Sequence, residues 1–244
     1  MKMHVNRLKH SIVTHPLKAL NVVHNINHYT KDKYSEIKRY EIAKKNLTKI
    51  FKAGKINVIS TFEEDLPSDT GYIMYANHQG KADTIAIILS HEAPCTVVID
   101  KAVCTNFFLN SFLDLIKAKK LDKEDPRSAI KLFKEVEEEI TNDSRRYIIF
   151  PEGKHDNNGN NLQEFMTGSM GVAFKTKCPI IPVCLYDTYK VYEVPDTKKV
   201  TCEVHFLKPI YYDEYKELRK NELSLLIRNR IETKLNELKN RNLG

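Results

Sequence analysis

From Gly54 onward, short apolar runs alternate with helix-patterned stretches, and this alternation restricts the possible fold more than any other feature. "INVIS" (56–60), "GYIMYA" (71–76), "CTVVID" (95–100), "RYIIF" (146–150), "PIIPVCLY" (179–186) and "VTCEVHF" (200–206) read as strands. "KAKKL" (117–121) adds a short one. Between them lie apolar helices over 84–92 and 105–117 and another helix around 168–177. Asp125 as N-cap and Pro126 at the first helical position open a long helix to about Thr141. Asp213 is placed to cap a last amphipathic helix over 214–240. Such alternation implies an α/β fold, a single domain with a central mixed, mainly parallel sheet flanked by helices.

An N-terminal helical extension over 1–55 precedes this domain, which is assigned to 56–244. Apolar residues recur at 17, 20, 23 and 26, then at Ile37, Tyr40, Ala43, Leu47 and Ile50, with Gly54 as the stop. Charge separates the two parts. Residues 1–56 hold 13 Lys/Arg against 3 Asp/Glu, whereas the rest holds 26 against 29, so the excess behind the formal +7 lies in the first quarter. Such a segment suits an anionic surface. Its apolar stripe either packs on the core, the reading taken first, or lies in a membrane surface with the lysines outward. Nucleic acid fits poorly, because the basic stretch has few stacking aromatics and no recognised module. No uncharged apolar run approaches the roughly 18 residues of a membrane span, and no signal peptide is read. Five cysteines, none in a C-x-x-C pair and most beside apolar residues, suggest buried reduced thiols of a cytosolic protein rather than a zinc site.

Two strands end abruptly in polar clusters. "YIMYA" runs into "NHQGKAD" (77–83), and "RYIIF" into "PEGKHDNNGN" (151–160). A histidine five residues before an aspartate is weak by itself, since 9 His and 13 Asp give about half an occurrence by chance. The setting adds weight, because α/β proteins place ligands just past strand ends. His78 can accept a proton near neutrality, with Asp83 fixing its tautomer. Equally, Asp83 can be a plain helix N-cap. Spacing of five requires a turn, which Gly80 would permit. In the second cluster Lys154 supplies a cation and Gly153 close backbone approach to an anion, or the loop is simply polar with Glu152 paired to a lysine. The G-x-x-x-x-G-K-[ST] spacing of a nucleotide-binding loop is absent.

Taken in order along the chain, these blocks resemble the glycerolipid acyltransferases, the family of 1-acylglycerol-3-phosphate acyltransferases. "NHQGKAD" resembles the N-H-x-x-x-x-D motif and "FPEG" (150–153) the F-P-E-G-T-R block. "KLDKEDPRSAIKLF" (120–133) and "LQEFMTGSMGVAFKTKCPIIPV" (162–183) resemble the family's intervening and following segments, and 56–78 its leading strands. The resemblance implies acyl transfer from acyl-CoA or acyl carrier protein, a co-substrate rather than a cofactor, to the free hydroxyl of a lysophospholipid in a membrane surface, giving phosphatidic acid. It implies His78 as general base, Asp83 as its orienting partner, and substrate contacts from Asn77, Gly80, Lys81, Lys123, Arg127, Glu152, Gly153 and Lys154. Amides near Gly80 or Gly153 would serve the oxyanion, and no metal is implied. It also implies a cytoplasmic protein, peripheral on the inner face of the membrane. The departures concern phosphate: Lys123 replaces an arginine, Lys154-His155 a Thr-Arg pair and Met166 a lysine. Another glycerolipid or lysophospholipid acceptor, or an inactive membrane-binding relative, is the alternative. Metal-dependent hydrolysis using His78, Asp83, Glu152 and His155 ranks below both.

Overall fold

The computed structural model describes residues 16–30, 33–105, 107–154, 156, 158–194 and 198–241. Seven strands form one sheet: β1 (Ile56–Phe62), β2 (Tyr72–Ala76), β3 (Thr96–Asp100), β4 (Lys119–Leu121), β5 (Arg146–Ile149), β6 (Ile180–Tyr186) and β7 (Val200–Phe206). Their spatial order is β1-β7-β6-β2-β5-β3-β4. Neighbours are parallel except at β6/β7, where Val183 to Tyr186 pair antiparallel with Phe206 to Glu203. Pro182, which has no amide proton, sits just before that antiparallel pairing begins. The sheet is therefore mixed and mainly parallel, as the alternation of elements predicts.

Helices cover both faces. α1 (Pro16–Tyr29), α2 (Glu36–Ala53), α3 (Asp83–Ser90) and α4 (Phe107–Leu115) pack on one side. α5 (Pro126–Asn142), α6 (Met170–Thr176), a single turn α7 (Tyr212–Tyr215) and α8 (Lys220–Arg241) pack on the other. β2 shows why its run is continuously apolar. Tyr72, Met74 and Ala76 face the first layer, while Ile73 and Tyr75 face the second. A strand buried on both faces has no polar side to show. α2 sinks Tyr40, Ala43, Leu47 and Phe51, so its stripe lies on the core and Lys45, Lys49 and Lys52 remain exposed. Residues 1–15 of the basic segment lie outside the described residues.

Two helix boundaries differ from expectation. Asp213 does not cap a helix over 214–240. It lies within α7, paired with Lys216 at 2.7 Å, and the chain breaks before α8. α8 is restarted by Glu222, whose carboxylate accepts the Arg219 amide at 2.7 Å. Gly54 does end α2, but the left-handed residue is Lys55 at φ 55°. Asp125 caps α5 by accepting the Arg127 amide at 3.0 Å, as expected.

Candidate functional site

Parallel pairing brings the C-terminal ends of β2, β5, β6, β3 and β4 to one edge of the sheet, so residues far apart in sequence meet there. β2 delivers Asn77 first. Its buried amide donates to the Leu185 carbonyl at 3.0 Å and accepts the Leu185 amide at 2.7 Å, tying the ends of β2 and β6 together. Asn77 was expected to touch substrate; its side-chain nitrogen and oxygen each hold Leu185.

His78 follows, with a side chain 20% exposed. Its Nδ1 lies 2.8 Å from Asp83 Oδ2, and its ring stacks on Phe150 with centroids 4.4 Å apart. Asp83 is fully buried. Its Oδ2 also accepts the amides of Gln79 at 2.6 Å and Gly80 at 2.8 Å. Oδ1 takes the Thr188 hydroxyl at 2.6 Å. Asp83 is thus no ordinary N-cap, because its carboxylate turns back on the loop before α3 rather than onto the helix amides. Nor does the turn use a left-handed Gly80; among the described glycines positive φ occurs at Gly153 and Gly159. Gly80 serves the site through its amide. A buried carboxylate that collects this many donors is held as an acceptor. With the carboxylate accepting from Nδ1, the neutral ring carries its proton there and Nε2 is the basic nitrogen.

The turn after β5 supplies Glu152. Its Oε1 accepts the His78 amide at 3.0 Å, and its buried Oε2 makes no hydrogen bond among the described residues. Burial pushes the carboxyl up to about 7, against the pull of the His78 amide and Gln163. Glu152 therefore joins the two strand ends and, among the described residues, is not paired to a lysine. Gly153 completes the turn at φ 71°, and a Cβ there would lie 2.0 Å from Met166 Cε. Its amide donates to the Phe150 carbonyl at 3.1 Å. The Gly80 amide is likewise held, by Asp83, so both glycine amides are engaged within the fold, and the sequence expectation of oxyanion donors near Gly80 or Gly153 falls to neighbouring amides.

The cations are less assembled than expected. Lys123 is bound to Asp100 at 2.7 Å and to the Gly153 carbonyl at 2.6 Å, and it holds the Asp100 carboxyl below its usual range. Lys154 is exposed and pairs with Asp156 at 2.8 Å. Lys81 and Arg127 are exposed, and neither side chain makes an ion pair among the described residues. His155 lies outside the described residues. Among those described, no group of three or more His, Cys, Asp or Glu could hold a metal ion, and no helix is long and apolar enough to cross a membrane. The cysteines are free, four buried and Cys104 half-buried. A polar cleft of about 740 Å³ opens at the opposite end of the sheet, where Arg145 pairs with Glu36 and Glu139, and Lys119 with Glu139.

Sequence reasoning did not single out Gln79, Asn160, Asp187 or Thr188. Gln79 donates to Asn160 Oδ1 at 2.8 Å and to the Leu185 carbonyl at 2.9 Å, and accepts the Thr188 amide at 3.0 Å. These contacts join segments about 80 to 109 residues apart, and no local pattern encodes them.

A family model described as Acyltransferase matches residues 57–186. A 1-acyl-sn-glycerol-3-phosphate acyltransferase of Borreliella burgdorferi is 27% identical over 190 residues, 75% of this chain and 74% of that protein. One from Cocos nucifera is 25% identical over 163 residues, 66% of this chain and 53% of that protein. The crystal structure of a 1-acyl-sn-glycerophosphate acyltransferase, PlsC, from Thermotoga maritima has the same fold, with a TM-score of 0.67 at 21% identity, covering 82% of this chain and 79% of that one.

Proposed function

The chain belongs to the acyltransferase family, and from that premise we propose that it moves a fatty acyl group from acyl-CoA or acyl carrier protein to the free hydroxyl of 1-acylglycerol-3-phosphate, forming phosphatidic acid. The observation that carries this reading is the 2.8 Å contact of His78 Nδ1 with the buried Asp83 carboxylate at the edge where five strand ends converge. The named relatives from Borreliella burgdorferi and Cocos nucifera support the choice of acceptor.

His78 Nε2 takes the proton of the acceptor hydroxyl as its oxygen attacks the thioester carbonyl. Asp83 offsets the charge that develops on the ring. The tetrahedral intermediate then expels the thiolate, and the imidazolium returns its proton to the leaving sulfur. No covalent acyl-enzyme is needed, because the acceptor is itself the nucleophile. Phe150 sets the ring plane, and Glu152 holds the His78 backbone. Lys81 and Arg127 are the cations available to a phosphate, with Lys154 after it leaves Asp156. Lys123 steadies the Gly153 turn. The basic face of α2 docks the protein on anionic lipid, where its acceptor resides.

Purified protein is incubated with labelled acyl-CoA or acyl-carrier-protein thioester and lysophosphatidic acid, and the lipid product is identified. Phosphatidic acid that disappears in His78→Ala is the expected outcome. Full transfer by His78→Ala would reject the mechanism. The engagement of Lys123 by Asp100 favours one second reading, a lysophospholipid with a different head group, and a panel of acceptors with one donor separates the two.

A further inference from the structure

We propose that Thr188 is a positioning residue for the His78–Asp83 pair, setting the proton affinity of His78 through Asp83. The inference rests on the reading of His78 as base. Among the described residues, Asp83 draws donors from His78, Gln79 and Gly80 of its own loop and one from elsewhere, the Thr188 hydroxyl at 2.6 Å. Thr188 is fully buried and begins the short 3-10 turn Thr188–Val191 after β6.

The approach to Thr188 is held in an uncommon conformation. Asp187 has φ 62°, in the left-handed region that a non-glycine residue enters at a cost. Its amide donates to Asn160 Oδ1 at 2.9 Å, while its carboxylate accepts Asn160 Nδ2 at 2.8 Å and Lys190 Nζ at 2.7 Å. Gln79 reads the same threonine, accepting its amide at 3.0 Å and lying 2.8 Å from its hydroxyl. The single hydroxyl proton has two acceptors, and the bond to the ionised one is the stronger. That bond draws charge from the carboxylate and so lowers its pull on the imidazolium. Losing it leaves Oδ1 poorer in donors, and His78 holds its proton more tightly.

Among the described residues, the other titratable groups facing the pair are Glu152 after β5, Asp187 and Glu193 after β6, and Cys202 on β7, with Asp187 neutralised by Lys190. Substituting Thr188 alters none of them.

The test is an imidazole ¹⁵N titration of the intact protein, the His78 signal being assigned by its loss in His78→Ala. Thr188→Val raises the His78 midpoint by about half a pH unit, roughly a threefold gain in proton affinity. Thr188→Ser, which keeps the hydroxyl, leaves it in place. The acid limb of kcat/KM for acyl transfer moves upward in the valine variant alone. A midpoint in Thr188→Val that stays or falls overturns the proposal, as does an equal shift in Thr188→Ser. If Thr188→Val does not fold, Thr188→Ala makes the same comparison without the added methyl. The ring titration needs no turnover, so failure of wild-type acyl transfer would reject the proposed function and still leave Thr188 judged.

Discussion

His78 and Asp83 act together but should fail differently when removed. His78 is partly exposed, so His78→Ala is expected to abolish measurable transfer while the urea midpoint hardly moves. Asp83→Asn keeps one acceptor oxygen for the amides of Gln79 and Gly80 but replaces the other with an NH2 facing the Thr188 hydroxyl, so the buried site loses its negative charge and the charge-assisted bonds it received. It should cost activity on the order of 10²-fold or more and also about 1–3 kcal/mol of stability. Equal stability of the two variants would count against this account of Asp83. Glu152 makes a third prediction, in pH. Its carboxyl titrates at about 7 in the fold, against roughly 4.3 in an unfolded chain. Between those values the native state holds a proton that the unfolded state has lost, so stability declines as pH rises from the lower value through the upper one. Glu152→Gln removes that dependence. Its stability relative to wild type should therefore grow by about 2 kcal/mol between pH 5 and pH 8 in paired urea melts. A flat difference would mean that Glu152 titrates as an ordinary surface carboxylate.

The turns after β2 and β5 explain what could and could not be read from the chain. Both strands were legible because apolar runs stop at polar residues, and a parallel sheet then places their ends together. The His78–Asp83 contact was legible because it spans five residues. The Thr188 hydroxyl, the Lys123–Asp100 pair and the Asn77 clamp on Leu185 were not, since each depends on which strands become neighbours. The break after Tyr215 was hidden for another reason, because the helical pattern continues through it while Glu222 caps the restart. Gly153 is where local chemistry and packing coincide. Its φ of 71° disfavours any other residue, and a Cβ would run into Met166. Gly153→Ala should cost about 1–2 kcal/mol from the backbone alone. Met166 has a flexible end that can swing away. Met166→Ala in that background should consequently restore only part of the loss. Full restoration in a double-mutant cycle would assign the cost to the clash instead of the backbone.

Across the whole molecule, the basic helices are a layer of the fold as well as a charged surface. α2 contributes Tyr40, Ala43 and Leu47 to the core that covers Met74 and Ile148, and its buried Arg39 donates to the Leu115 carbonyl at the end of α4. A chain starting at residue 57 would expose that face of the sheet and is expected to aggregate, so deletion cannot test membrane docking. Charge reversal can. Lys45, Lys49 and Lys52 follow one another at three- and four-residue intervals on the outer face of α2, exposed and without ion-pair partners among the described residues. A lysine near an anionic lipid surface contributes about 1 kcal/mol. Lys45→Glu, Lys49→Glu and Lys52→Glu together should thus weaken binding to phosphatidylserine-containing vesicles by at least about tenfold. The loss should shrink as salt rises, because exposed charges are screened. Binding to vesicles of neutral lipid should not change, and neither should the thermal midpoint. Turnover should fall on acceptor presented in anionic vesicles and survive on acceptor in neutral detergent micelles, which separates docking from chemistry. If the triple variant binds anionic vesicles as wild type does, this face of α2 does not dock the protein.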